Sequence, residues 1–175
     1  MAVQVIYGTK QTNAEIVSLE MAKQNSRIEY NDEDSLLQLL LNSATNEIEN
    51  YLSSPVILRE NSKIYLDVFQ KTYNIKMPFL ITKVEWLDIE GNKTEIATSD
   101  YEIFGNEVIV DIEKPDNFDR ILFTADLGYE MANIPSDIQR AALLIFSNSE
   151  TYRESVQIKF NQSAYSLLRN YKLKW

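Results

Sequence analysis

Apolar residues recur at three- and four-residue steps near both ends of this chain and at two-residue steps between. Leu37, Leu40, Leu41, Ala44, Ile48, Tyr51 and Leu52 draw one stripe of a helix over residues 33–52. Ile138, Ala142, Ile145, Ser149 and Tyr152 draw a second over 134–154. Between the two, Ile64, Leu66 and Val68 alternate with Tyr65, Asp67 and Phe69, as a half-buried strand requires. Segments 79–87, 101–104, 108–112 and 120–127 read as further strands, with Gly105-Asn106 as a hairpin turn. The pattern predicts an α+β fold: helical elements at both ends of the chain packed together, with an inserted antiparallel β-module.

Turn and cap residues set the boundaries of a single domain over 1–175. Residues 1–17 form an N-terminal arm or edge strand. Residues 18–54 are helical: Ser18 caps a short helix, and Asp32, Glu33 and Asp34 open the long one. That acidic cluster resembles the start of a calcium loop, but the glycine and bidentate Glu such a loop needs do not follow. Pro55 stops the long helix, and the β-module occupies 57–130. Pro135 starts the helix at 134–154, with Ser136 and Gln139 as a capping box. Residues 155–175 are a mobile loop followed by a C-terminal segment that faces a partner.

The composition narrows the chemistry. The chain has no His and no Cys, which removes the usual general base, thiolate and transition-metal ligands. With four Gly, no phosphate-cradling glycine loop can be written. The expectation is therefore no enzyme, no cofactor, no metal, and no catalytic residue; carboxylates alone remain as a weaker hydrolase reading. The N-terminus lacks a signal-peptide layout, and the longest apolar run, 141–146, is too short for a bilayer, so no membrane partner is expected. Residues 1–135 carry 23 acids against 11 bases, whereas 136–175 carry 3 against 6. So acidic a body repels a phosphate backbone.

Two stretches are candidate contact surfaces. Residues 141–146 are apolar all round, so either the helix is sandwiched inside its domain or Ala141, Leu144 and Phe146 meet a neighbouring subunit. The ending Leu167, Leu168, Arg169, Tyr171, Lys172 and Trp175 joins basic and aromatic residues of the kind enriched at interface hot spots. Its alternative is to fold back over the first long helix.

The order of short motifs resembles a known family. They run I-V-S-L-E-x-A-K at 16–23, D-E-D-S-L-L at 32–37, I-E-x-Y at 48–51 and P-F-L-I-T-K-V-E-W-L-D-I-E-G at 78–91. D-Y-E-I at 100–103, F-T-A-D-L-G-Y-E at 123–130 and I-P-S-D-I-Q-R-A-A-L-L at 134–144 follow, then T-Y-R-E-S at 151–155 and S-L-L-R-N-Y at 166–171. Each is explicable as core or cap; the shared order over 16–171 is what resembles the head–tail connector, or adaptor, proteins of tailed double-stranded DNA phages. The resemblance implies a structural protein of the virion neck, assembled in the host cytoplasm. It implies a ring, usually of twelve copies, that attaches to the portal protein, extends the DNA channel without binding DNA specifically, and docks the next neck or tail protein. The C-terminal candidates would then face the portal. The alternative within the same world is a minor tail or capsid-decoration protein that forms no ring.

Overall fold

The computed structural model describes residues 3–11, 14–75, 79–152 and 161–172. Its strands are β1 (Val3–Ile6), β2 (Thr9–Lys10), β3 (Arg59–Leu66), β4 (Thr72–Asn74), β5 (Phe79–Asp88), β6 (Lys93–Glu95), β7 (Tyr101–Phe104), β8 (Glu107–Val110) and β9 (Phe118–Leu127). Its helices are α1 (Leu19–Ser26), α2 (Asp34–Leu52), α3 (Ser136–Thr151) and α4 (Gln162–Leu168). The fold is mixed α+β, as the two periods require. Contacts gather into two compact units: a β unit from 3–11 and 58–128, and a helical unit from the rest.

In the β unit an antiparallel sheet runs β1-β3-β9-β5-β6, with β2 also paired to β3. A smaller sheet runs β4-β8-β7. Tyr73 of β4 and Phe123 of β9 meet edge-on at 5.2 Å, joining the two sheets through a core that includes Ile64, Val84, Val108, Val110 and Ile121. The expected hairpin is present: Phe104 pairs with Glu107 across Gly105-Asn106, and Gly105 takes φ +60. The first predicted strand ends earlier than its alternation suggests. β3 stops at Leu66, and Val68 beyond it is exposed.

The helical unit is built around α3, which meets α1, α2 and α4. Leu37, Leu41, Ala44, Ile48 and Leu52 of α2 face Ile138, Ala142, Ile145 and their neighbours in one apolar cluster. Ser18 caps α1 as predicted, its hydroxyl accepting from Met21 N–H at 3.2 Å. Two other caps differ from expectation. Glu33 makes no side-chain cap at α2, and Asp34 instead pairs with Lys23 of α1 at 2.6 Å, where it clamps two helices together. Ser136 is already helical, the N-cap position falls to Pro135, and Gln139 donates to the Ile134 carbonyl at 3.0 Å. The stop of α2 is also reached before Pro55. Ser53 turns left-handed (φ 56), and Ser53 and Ser54 N–H close on Asn50 and Glu49 carbonyls.

Candidate functional site

The C-terminal segment is placed by small, specific contacts. Asn161 caps α4, accepting from Ala164 N–H at 3.2 Å while its own amide donates to the Leu144 carbonyl of α3 at 3.1 Å. Ala164 and Leu168, one turn apart, are fully buried in the helical core. On the flank of α4, the Tyr165 hydroxyl donates to the Glu47 carboxylate of α2, and its ring meets Tyr51 edge-on at 4.7 Å. Burial, then the Glu47 carboxylate, pushes the Tyr165 phenol well above the usual tyrosine range. The 3-10 turn Arg169–Tyr171 follows, and Lys172 Nζ rests 4.6 Å from the Tyr51 ring centroid. Burial, then Asp137, raises the Tyr171 phenol as well.

These contacts sort the residues expected at a partner surface. Leu168 is a core residue, because α4 lies on α3 and points it inward; it is unavailable to a partner. Leu167 and Tyr171 are half-buried against the same core. Arg169 and Lys172 are exposed. Trp175 lies outside the described residues, as does all of 155–175 that was expected to form a loop, apart from 161–172.

The apolar-all-round stretch of α3 resolves toward the interior. Ala141 and Phe146 have no exposed surface, since α1, α2 and α4 surround the helix. As members of a free-standing subunit interface they are corrected. Leu144 alone of the three keeps part of its surface. Glu47, Tyr51 and Asn161, which hold the C-terminal segment, were not among the expected site residues. The Glu47-Tyr51 spacing of one helical turn was the available signal.

Among the described residues no group of three or more His, Cys, Asp or Glu is placed to hold a metal ion. None of the described helices is long and apolar enough to cross a membrane.

The head completion protein family profile matches residues 15–164, most of both units. No curated protein sequence matches significantly. Among solved structures, a chain of the neck of an empty GTA particle, computed with C6 symmetry, superposes with a TM-score of 0.70 at 14% identity, covering 98% of this chain and 96% of that one. A chain from the virion of a native gene transfer agent particle gives 0.66 at 14% identity and the same coverages. One from the neck of a native GTA particle, computed with C12 symmetry, gives 0.56 at 14% identity, over 93% and 95%. At such identity these likenesses establish a shared fold.

Proposed function

Since the chain belongs to the head completion protein family, a family of structural proteins of the phage neck, we propose that it closes into a ring beneath the portal, extends the DNA channel, and docks the next neck or tail protein. The observation that carries this is the family match, which runs through the helical unit, the β unit and back. The likeness to neck chains from particles computed with C6 and with C12 symmetry supports a cyclic ring, and twelve copies is a number compatible with both. A heterologous contact repeated around a closed ring needs only modest strength per copy, because closure makes the last contact intramolecular. The reading assigns no bond-making step; the work is association, and its place is the head–tail junction.

Electron microscopy and mass photometry of the chain mixed with its cognate portal rings test this. The expected result is portal particles gaining a ring of about twelve chains, as the proposed symmetry requires. Portal rings that stay bare at saturating chain would overturn it.

The C-terminal turn is the proposed portal contact, through Arg169 and Lys172 with Leu167 and Tyr171 at its rim. Because Ala164 and Leu168 are core, deletion of the segment would damage the fold, so surface changes make the better test. The double variant Arg169→Glu, Lys172→Glu should lose no more stability than the Lys172–Tyr51 contact supplies, about 0.5–1 kcal/mol, and bind portal at least about tenfold more weakly, the scale of about 1.4 kcal/mol. Unchanged binding by a folded variant moves the portal contact elsewhere. Leu144 remains the proposed contributor from α3 to subunit packing.

A further inference from the structure

The side of α2 that faces away from its core is not uniformly polar. Leu36, Leu39, Ser43, Asn46 and Asn50 step by three and four residues and so share one stripe opposite Leu37, Leu41 and Ile48. Leu36 is 41% exposed and Leu39 62%, so the two leucines present apolar surface side by side, one turn apart on the helix. Toward the C-terminal end the same stripe opens into a cleft of about 540 Å³ lined by Ser43, Asn46, Glu47, Asn50, Tyr51 and Tyr165. Every polar side chain there offers an acceptor oxygen, one is a carboxylate, and two are tyrosine rings. Among the described residues no Lys or Arg forms an ion pair with Glu47. The ring of Tyr51 already attracts a cation, since Lys172 Nζ sits 4.6 Å from its centroid.

From this juxtaposition we infer that the outer stripe of α2 is a docking groove for a basic amphipathic segment of another particle protein. It takes apolar side chains over Leu36 and Leu39 and an arginine or lysine in the Glu47–Tyr51–Tyr165 cleft. The inference rests on the reading above that the chain is built into a particle. Charge complementarity names the occupant: α2 itself carries Asp34, Glu47 and Glu49 and no base, so a basic segment is drawn in and an acidic one repelled. A second copy of the same stripe fits badly. Paired antiparallel about Ser43, it sets Leu36 against Asn50 and Leu39 against Glu47; paired parallel, it sets Glu47 against Glu47. The eleven steps from Leu36 to Glu47 span about 16.5 Å at the helical rise, which fixes the spacing the partner must match between its apolar and basic groups. An arginine suits the cleft best, because its planar fork can stack on a tyrosine while donating to Glu47 and an Asn.

The test uses the full chain in assembled particles. Benzoyl-phenylalanine replaces Leu39 in one preparation and Asn46 in another, and crosslinks are mapped by mass spectrometry. Both positions should crosslink to one segment of a different particle protein, apolar residues opposite 39 and an Arg or Lys near 46. In parallel, Leu39→Glu should keep the wild-type melting temperature and lower incorporation at least about tenfold. Crosslinks to another copy of this chain, to a segment without a base, or to nothing in particles that contain the chain would overturn the groove. So would normal incorporation of Leu39→Glu. A wild-type chain that never enters particles would instead defeat the neck assignment itself, and the groove with it.

Discussion

Gly8 occupies a place that a side chain cannot share. A Cβ there would stand 1.7 Å from the Glu60 carbonyl oxygen. Its N–H donates at 3.0 Å to the buried Ser62 hydroxyl, which in turn donates to the Arg59 carbonyl at 3.0 Å. The bulge between Arg59 and Ser62, with Asn61 at φ 57, brings those groups together. Gly8→Ala must therefore push the chain off β3, at a cost of about 1–3 kcal/mol. Denaturant unfolding reads the loss, and amides of 3–6 should exchange faster than those of 121–125; unaltered exchange would mean that the turn yields freely. Asp88 works by charge. Its carboxylate accepts from Asn92 Nδ2 at 2.9 Å, Asn92 N at 2.8 Å and Glu90 N at 3.0 Å. The Asn92 side chain first, then the backbone N–H groups of the turn, hold its carboxyl below the usual range. A depressed folded value means the unfolded chain takes up the proton first as pH falls. The stabilisation is thus complete above about pH 5, where an unperturbed Asp is almost fully ionised, and is lost as pH falls through the folded value. Asp88→Asn should lower the melting temperature at neutral pH and approach the wild type near pH 3. An equal gap at both pH values would assign the effect to shape, not charge.

A helix of seven residues such as α4 does not hold itself together in water. It stands because Ala164 and Leu168 are buried, Asn161 ties its start to α3, and Tyr165 reaches Glu47. Leu168→Ala should cost about 2–5 kcal/mol and expose Tyr165 to quenchers at denaturant concentrations where α2 is still folded. If stability is unchanged, α4 is an independent appendage. At the C-terminal end of α2, Ser53 holds a left-handed conformation that glycine adopts freely. Ser53→Gly should raise stability by about 1 kcal/mol in the same assay. These elements also mark what the residue pattern can tell. Helices α2 and α3 were legible because a long stripe of Leu, Ile and Ala repeats often enough to count, and β5 and β9 because they are ten residues each. β4 and β6, at three residues apiece, carry too few positions for any period to register, though Tyr73 of β4 is among the most buried side chains. Apolar breadth in 141–146 fitted a surrounded helix and a subunit contact equally, and held no information on what surrounds it. The same limit applied at Leu168, whose helix is too short to separate inner from outer face. It applied again at Leu36 and Leu39, where a pattern of leucines says only that water is unwelcome.

Charge is the property on which the two units agree. The β-unit segments 1–11 and 58–128 hold 14 acids against 9 bases, and the remaining residues, 12–57 and 129–175, hold 12 against 8. In the proposed ring either unit would bring a net negative charge, repeated around the axis. Several bases are also already engaged: Lys83 lies 2.8 Å from Glu85 and 3.2 Å from Glu95, and Arg120 lies 2.6 Å from Asp119. Exposed pairs such as these are weak, yet each still places a carboxylate beside the cation that a phosphate would need. Non-specific DNA binders draw their affinity from releasing counterions at several phosphates, and that affinity rises steeply as salt falls. Here the sign is opposite. Lower salt lengthens the range of repulsion between an acidic wall and the duplex, so it should not rescue binding. A mobility-shift titration of duplex DNA at micromolar chain should show no complex at about 150 mM salt, the physiological range, and none at about 20 mM. Free chain and portal-bound ring should behave alike, because assembly multiplies like charge. A complex that tightens as salt is lowered would locate a basic track that the balance of the units hides, and a channel that grips its DNA instead of letting it slide.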